Sequence, residues 1–379
     1  MKALPLSIFW GLWFLNFSVR SGFSPVLPLI EDSLNLSHGQ AGGLFTSLAV
    51  GYSLSMLISG HLTPVWGCKR TIVSGFVGTG IVLILLQWTQ DYLTFHAIFF
   101  LVGLCTGTYN PAIIPIITET YEPRHWGKVI GIHDSGASLA VFAMPLLIAF
   151  GVRFLPWRHL FLILAVAGLL LPFIFWKVAV EPRQDRVRQK VRYVDLLRRR
   201  SLWTMGCLWM FVGASCNGIF SILPLYLINE RGIAFDHANT LISVSRAGGA
   251  FVSIAAGFLA DRYGPRKMLI FSLVSTGLST IALALASTPA PLFLALIAQG
   301  TFSIVFFPAG LAAISMLTLL PERSMAIAFI LFFGVMFGNG LAALLLGLTA
   351  DHFSFAAGIL CLGICTTFTT LLVKLLPVK

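Results

Sequence analysis

Charge is scarce in this chain. Only 10% of its 379 residues are Asp, Glu, Lys or Arg, against about 25% in soluble globular proteins. Acids are scarcest, 14 against 25 Lys and Arg. So few charges cannot cover a water-exposed surface, which excludes a soluble globular protein. The marks of several chemistries are missing too. No G-x-x-x-x-G-K loop is present to cradle a nucleotide phosphate, which argues against ATP as the driving ligand. The six cysteines (68, 105, 207, 216, 361 and 365) show no metal-ligand spacing and read as small core thiols. His133, Asp134 and Ser135 adjoin, but in an apolar helix with no strand-turn-helix setting. No enzymatic activity, cofactor or metal is expected. A net charge of +11 would fit nucleic acid. The basic residues lie between apolar runs, however, and no nucleic-acid-binding motif accompanies them, so no nucleic acid partner is expected.

Hydrophobic residues make up 57% of the chain, with 32 Phe. They fall into twelve runs of roughly the 20 residues that a bilayer crossing needs. The runs are 5–30, 38–59, 71–89, 92–118, 127–151, 157–179, 201–228, 237–258, 268–287, 290–318, 324–350 and 353–375. The expected fold is an all-α polytopic membrane protein. With both termini cytoplasmic, the outer loops and outer run ends hold only Arg153, Arg158 and Arg231, and the interiors of the spans hold only Arg20 and Arg246, Lys128, Lys177 and Lys374 lying at cytoplasmic run ends. Every other Lys and Arg is cytoplasmic, the asymmetry that orients inner-membrane proteins. The first run is too long for a signal h-region and no A-x-A site follows it, so it is expected to be retained. The basic stretch 180–200 divides the chain into an N-terminal bundle (1–179) and a C-terminal bundle (201–379). It reads as a cytoplasmic linker with a short amphipathic helix around Tyr193–Leu197.

The loop Gly257-Phe-Leu-Ala-Asp261-Arg262-Tyr-Gly264-Pro-Arg266-Lys267 joins two of these runs. Gly257 and Gly264 are expected to allow close packing and a tight turn. Arg262, Arg266 and Lys267 hold the loop at the cytoplasmic surface. A degraded copy, Gly60-His-Leu62-Thr-Pro64-Val-Trp66-Gly67-Cys-Lys69-Arg70, lies half a chain earlier, with Pro64 where the second copy has Asp261. The same offset places Pro111-Ala112 on Pro308-Ala309, so the halves read as a parallel repeat. The second loop resembles the G-x-L-a-D-r-x-G-r-k signature of the major facilitator superfamily. Pro123-Arg124 and Pro321-Glu-Arg323 resemble that family's other conserved loops. The resemblance covers the whole chain. It implies twelve transmembrane helices in two pseudo-symmetric six-helix bundles, with substrate held midway between them and access alternating by rocking. It also implies that Asp261 contacts the start of helix 11 near Arg323 as a conformational lock.

The informative residues are the ionisable ones inside spans, each costly there without a partner or a watered cavity. Arg20 and Arg246 lie near the middle of helices 1 and 8 and are not equivalent under the repeat. Either they bind an anion, or they pair with a carboxylate or helix-end carbonyls, Asp134 being the obvious partner. Asp134 either carries a proton or acts as a gate bridging helices 5 and 8. His133 is expected to point about 100° away from it on the helix. Among neutral groups, Tyr109, Asn110 and Asn217 are the better candidates for ligand contacts. Asn16, Gln299 and Asn339 read as inter-helix glue. Trp157 and Arg158 read as an interfacial anchor.

The sequence therefore points to a secondary transporter of a small organic anion, proton-coupled and monomeric, in a bacterial inner membrane. The placement of Arg20 weakly resembles that in the cyanate and nitroimidazole branch, and the monocarboxylate branch's signature is absent from helix 1. An efflux pump for lipophilic compounds is the alternative within the same fold. A non-transporting sensor is the alternative outside transport.

Overall fold

The structure is a computed structural model that describes residues 3–182, 198–319 and 322–377. The helix expected at Tyr193–Leu197, most of the 180–200 linker and Pro321 lie outside the described residues. Among the described residues all regular structure is helical. The first six membrane helices are α1 (Ala3–Leu34), α2 (His38–Trp66), α3 (Cys68–Trp88), α4 (Tyr92–Thr120), α5 (Trp126–Gly151) and α6 (Trp157–Val178). The second six are α7 (Arg200–Glu230), α8 (Phe235–Tyr263), α9 (Pro265–Leu285), α10 (Pro289–Leu317), α11 (Met325–His352) and α12 (Phe355–Leu375). Helices α2 to α12 are the 11 stretches long and apolar enough to cross a membrane. The twelfth is α1, 32 residues long and carrying Arg20, Glu31 and Asp32.

Several helices are irregular, and the sequence explains some of this. Pro25 and Pro28 lie inside an unbroken α1. By contrast α4 breaks at Gly107–Thr108, where Pro111 has no N–H to bond the Gly107 carbonyl. Helix α8 breaks at Ala247–Gly248, beside the Gly248–Gly249 pair. Helix α7 widens into π-turns at Ala214–Gly218 and Tyr226–Glu230, and α11 does so at Gly334–Leu341.

Contacts divide the chain into two units: Met1–Asn35 with Ser47–Val187, and Leu36–Thr46 with Arg188–Lys379. The first turns of α2 thus belong to the second unit. In the first unit α1 packs against α5 and α6, and α3 against α6. Phe23 there stacks on Phe161 at 4.6 Å. In the second unit α9 packs against α10 and α12, around a core that includes Leu202, Trp209, Phe306 and Ile330. Small residues let backbones touch, as membrane helix packing requires. A Cβ on Gly103 would lie 2.1 Å from the Leu48 carbonyl oxygen.

The two signature loops share one backbone device. Gly67 has φ 97° and ψ 148°, and Gly264 has φ 85° and ψ 149°. This region is open essentially only to glycine. Gly257 differs from expectation: a Cβ there would meet nothing within 4 Å. It faces open space, so close packing does not explain it. Trp157 is buried, packed against Phe95 and Phe161.

Candidate functional site

The first unit holds Arg20 on α1. Its guanidinium lies 4.2 Å from the Phe17 ring centre and 4.5 Å from that of Tyr52. Its Nε and Nη2 are buried and have no hydrogen-bond partner. The rings stabilise the charge through their π faces, but among the described residues no carboxylate bonds to it. Asp134, the expected partner, bonds elsewhere.

The second unit holds Arg246, buried on α8 just before the break. Its Nη2 donates to the Cys216 carbonyl at 3.2 Å and to Gln299 Oε1 at 3.4 Å. Its charge lies 5.4 Å from the Phe220 ring centre. Nε has no partner. The π-turn of α7 makes this arrangement possible. Ile219 N–H reaches back five residues to Ala214, and the widened turn presents the Ser215 and Cys216 carbonyls sideways. Gln299 Nε2 donates to the Ser215 carbonyl and Arg246 to that of Cys216. Gln299 thereby bridges α10 to both. Asn217, half-buried, sits in the same π-turn, a type of irregularity frequent at functional sites. Among the described residues Arg246 thus has neutral partners only, and no carboxylate bonds to it.

Tyr109, expected to face ligand, lies elsewhere. It is fully buried, and its hydroxyl contacts the Phe9 carbonyl and His133 Nε2, both at 3.0 Å. Its neighbour Asn110 is half-buried. Asn16 Nδ2 donates to the Thr106 carbonyl at the α4 break. His133 and Asp134 correct a second expectation. The 100° step between their Cα–Cβ bonds does not keep them apart, because the buried imidazole turns back and its Nδ1 lies 3.0 Å from Asp134 Oδ1. Trp13, which no sequence pattern singles out, stacks on both His133 and Tyr109.

The lock residues are not brought together. Asp261 is exposed and makes no hydrogen bond or ion pair among the described residues. Arg323 instead donates to the Ser315 carbonyl at 2.9 Å. The charge beside it, Glu322, is gripped by both terminal nitrogens of Arg199, one at 2.9 Å, and accepts from Leu319 N at 2.9 Å. Arg262 lies over Tyr263, and Lys267 is exposed beside half-buried Arg266. In the first unit, where Pro64 replaces the aspartate, Glu181 occupies the loop. It accepts from Cys68 N at 2.5 Å and Lys69 N at 3.0 Å, capping α3. Local sequence gives no sign of this, since the carboxylate comes from beyond α6.

Comparison with known proteins accounts for the whole chain. The model of the Major Facilitator Superfamily matches residues 9–251 and 210–379. A hexuronate transporter of Bacillus subtilis (strain 168) is 22% identical over 286 residues, spanning 71% of this chain and 68% of that protein. The multidrug resistance protein MdtG of Serratia proteamaculans (strain 568) is 24% identical over 299 residues, spanning 75% and 72%. Among solved structures, a bacterial homologue of the human lysosomal transporter Spinster, inward-facing and occupied, superposes with a TM-score of 0.84. It is 17% identical and covers 99% of this chain and 96% of its own. A point mutant of the nucleoside transporter NupG gives 0.83 at 14% identity, covering 98% and 100%. Twelve membrane helices, twin signature turns and a family model matched from residue 9 to residue 379 lead to one assignment: the chain belongs to the Major Facilitator Superfamily.

Proposed function

We propose that this transporter carries a small organic anion of carboxylate type, coupled to protons and working by alternating access. It would do so as a monomer in a bacterial inner membrane with cytoplasmic termini. The observation that carries the reading is the state of the two intramembrane arginines. Among the described residues neither of these guanidiniums bonds a carboxylate, and each keeps at least one buried N–H without an acceptor. A buried cation in that condition is expensive in a bilayer. A carboxylate ligand would satisfy it with charge-assisted, geometrically matched bonds. Asn217, in the π-turn beside Arg246, and Asn110 are the neutral contacts proposed to complete recognition. Similarity to a hexuronate transporter supports the anionic substrate. Asp134 with His133 is the proposed proton site. Asp261, exposed and unpartnered, is the proposed lock residue of another conformation, acting with Gly264, Arg266 and Lys267.

The second reading, efflux of lipophilic compounds, is favoured by the similarity to MdtG. Proteoliposomes separate the two. Uptake of glucuronate, a hexuronate, driven by an imposed pH gradient supports the anion reading. Pumping of a lipophilic cation such as ethidium, with no glucuronate uptake, would replace it.

A further inference from the structure

Asp134, His133, Tyr109 and the Phe9 carbonyl form a chain of three contacts, each 3.0 Å long. Both ends of the chain are acceptors only. A carboxylate has no proton to give and neither has a carbonyl. Three contacts therefore need three protons. The tyrosine hydroxyl supplies one and a neutral imidazole supplies one. The third has to be bound from outside.

We propose that Asp134–His133–Tyr109 is a one-proton binding site, whose exchangeable proton sits between Asp134 Oδ1 and His133 Nδ1. The proposal deepens the proton-coupled reading and rests on it for the proton's purpose, though not for its address. In the loaded form the imidazolium donates from Nδ1 to the carboxylate and from Nε2 to the Tyr109 oxygen, and Tyr109 donates to Phe9. On release, the Nδ1 proton passes to the carboxylate and then to water, with no change in electron count. Two donors then remain for three contacts, so one contact opens. Either the carboxylate turns away from the Nδ1 lone pair, or Tyr109 turns its hydrogen to the imidazole and leaves the Phe9 carbonyl with only its helix donor within α1.

The surroundings favour a single path for that proton. The His133 side chain is 1% exposed and that of Asp134 61%, so the chain is sealed at one end and open at the carboxylate. Trp13 from α1 covers His133 at 5.4 Å and Tyr109 at 5.3 Å, nearly parallel to both. Phe76 from α3 meets Tyr109 edge-on, and Phe175 from α6 packs on Phe9. The titratable groups facing His133 are thus Tyr109 from α4 and Asp134 beside it on α5. Among the described residues no Lys or Arg bonds to any of the three.

The test is imidazole nitrogen NMR on full-length protein, labelled with 15N-histidine and held in lipid nanodiscs. His133→Gln identifies the signal. In the wild type, His133 should pass between doubly and singly protonated forms as pH rises. Asp134→Asn supplies an amide N–H to Nδ1, so all three contacts are met by a neutral ring. His133 should then stay singly protonated, on Nε2, over the same range. Tyr109→Phe leaves only the contact to Asp134, and the neutral ring should move its proton to Nδ1. A wild-type His133 that stays singly protonated wherever the protein is folded overturns the site. So does an Asp134→Asn protein that titrates as wild type does. A His133 that titrates as described, in a protein whose glucuronate uptake ignores the pH gradient, upholds the site and overturns the coupling reading alone.

Discussion

Replacement of Arg246 separates an anion ligand from a scaffold residue. The side chain is held by three neutral acceptors: the Cys216 carbonyl at 3.2 Å, Gln299 Oε1 at 3.4 Å and Cys216 Sγ at 3.9 Å. At least Nε is left for a ligand. A charge-assisted hydrogen bond is worth about 1.5–3 kcal/mol net, so Arg246→Ala should weaken binding of the proposed organic anion by roughly 10-fold to 150-fold. Arg246→Lys keeps the charge but offers a point where the guanidinium offers a fork, and its loss should fall between wild type and alanine. Stability should respond differently. Alanine strands two uncharged oxygen acceptors, at about 1–3 kcal/mol each, besides the weak Cys216 Sγ contact, but it also removes a buried cation whose burial is itself unfavourable. These effects oppose, so melting should shift far less than affinity. Glucuronate affinity by calorimetry and melting temperature in detergent give both quantities on one preparation. Wild-type affinity with a much lower melting temperature would refute the reasoning and make Arg246 a strut for the α7 π-turn. Arg20→Ala should likewise weaken binding, since its Nε and Nη2 have no partner to lose among the described residues.

Three further outcomes follow from geometry. Within one signature, Gly264→Ala should destabilise by about 1–3 kcal/mol because it forces a positive φ on a side chain, whereas Gly257→Ala, with open space around it, should stabilise slightly, by about 0.5–1 kcal/mol; paired thermal melts check the contrast. Asp351 accepts from Ser37 Oγ at 2.8 Å and from the His38 and Gly39 N–H groups at 2.8 and 2.9 Å, capping α2, so Asp351→Ala should cost about 2 kcal/mol and raise amide exchange at residues 38–42. The hydrogen bond from Arg199 holds the Glu322 carboxyl below the usual glutamate range, against a smaller opposing effect of burial; its stabilising effect is present above the unfolded value of about 4.3 and is lost as pH falls through the folded one, so Glu322→Gln should flatten acid destabilisation only in that window.

Much of the architecture was legible because bilayer physics writes it into composition. Run length gave the twelve helices, and the twin loops announced the turns that Gly67 and Gly264 make with nearly identical backbones. The irregular parts of the helices were less legible. Pro111 marks the α4 break, but the π-turns at Ala214–Gly218 and Gly334–Leu341 follow no residue-spacing rule. The caps were hidden for a different reason. Capping is read from neighbouring residues, yet Glu181, Glu230 and Asp351 cap α3, α12 and α2 from 112 to 313 positions away. The partnership of His133 with Asp134 was missed because helical angle describes where a side chain starts, not where an imidazole's far atoms reach.

The scarcity of acids then acquires a structural meaning. Glu181, Glu230 and Asp351 lie on helix N-termini, where backbone N–H groups and the helix dipole hold them. Asp91 caps α4 through Thr94 N. Glu122 pairs with Arg124, Glu322 with Arg199, and Asp134 with His133. Among the described residues no carboxylate bonds to Arg20 or Arg246. A folding chain under pressure only for stability would have little reason to keep two guanidiniums in spans while its acids serve elsewhere, since stranding a buried charge costs several kcal/mol. Among the described residues that cost is compensated at Arg20 by two aromatic faces, and at Arg246 by the Cys216 carbonyl that the π-turn exposes, Cys216 Sγ, Gln299 Oε1 and the Phe220 ring. Both compensations are electrically neutral and leave a full positive charge at each site, which is the condition under which an incoming carboxylate gains most.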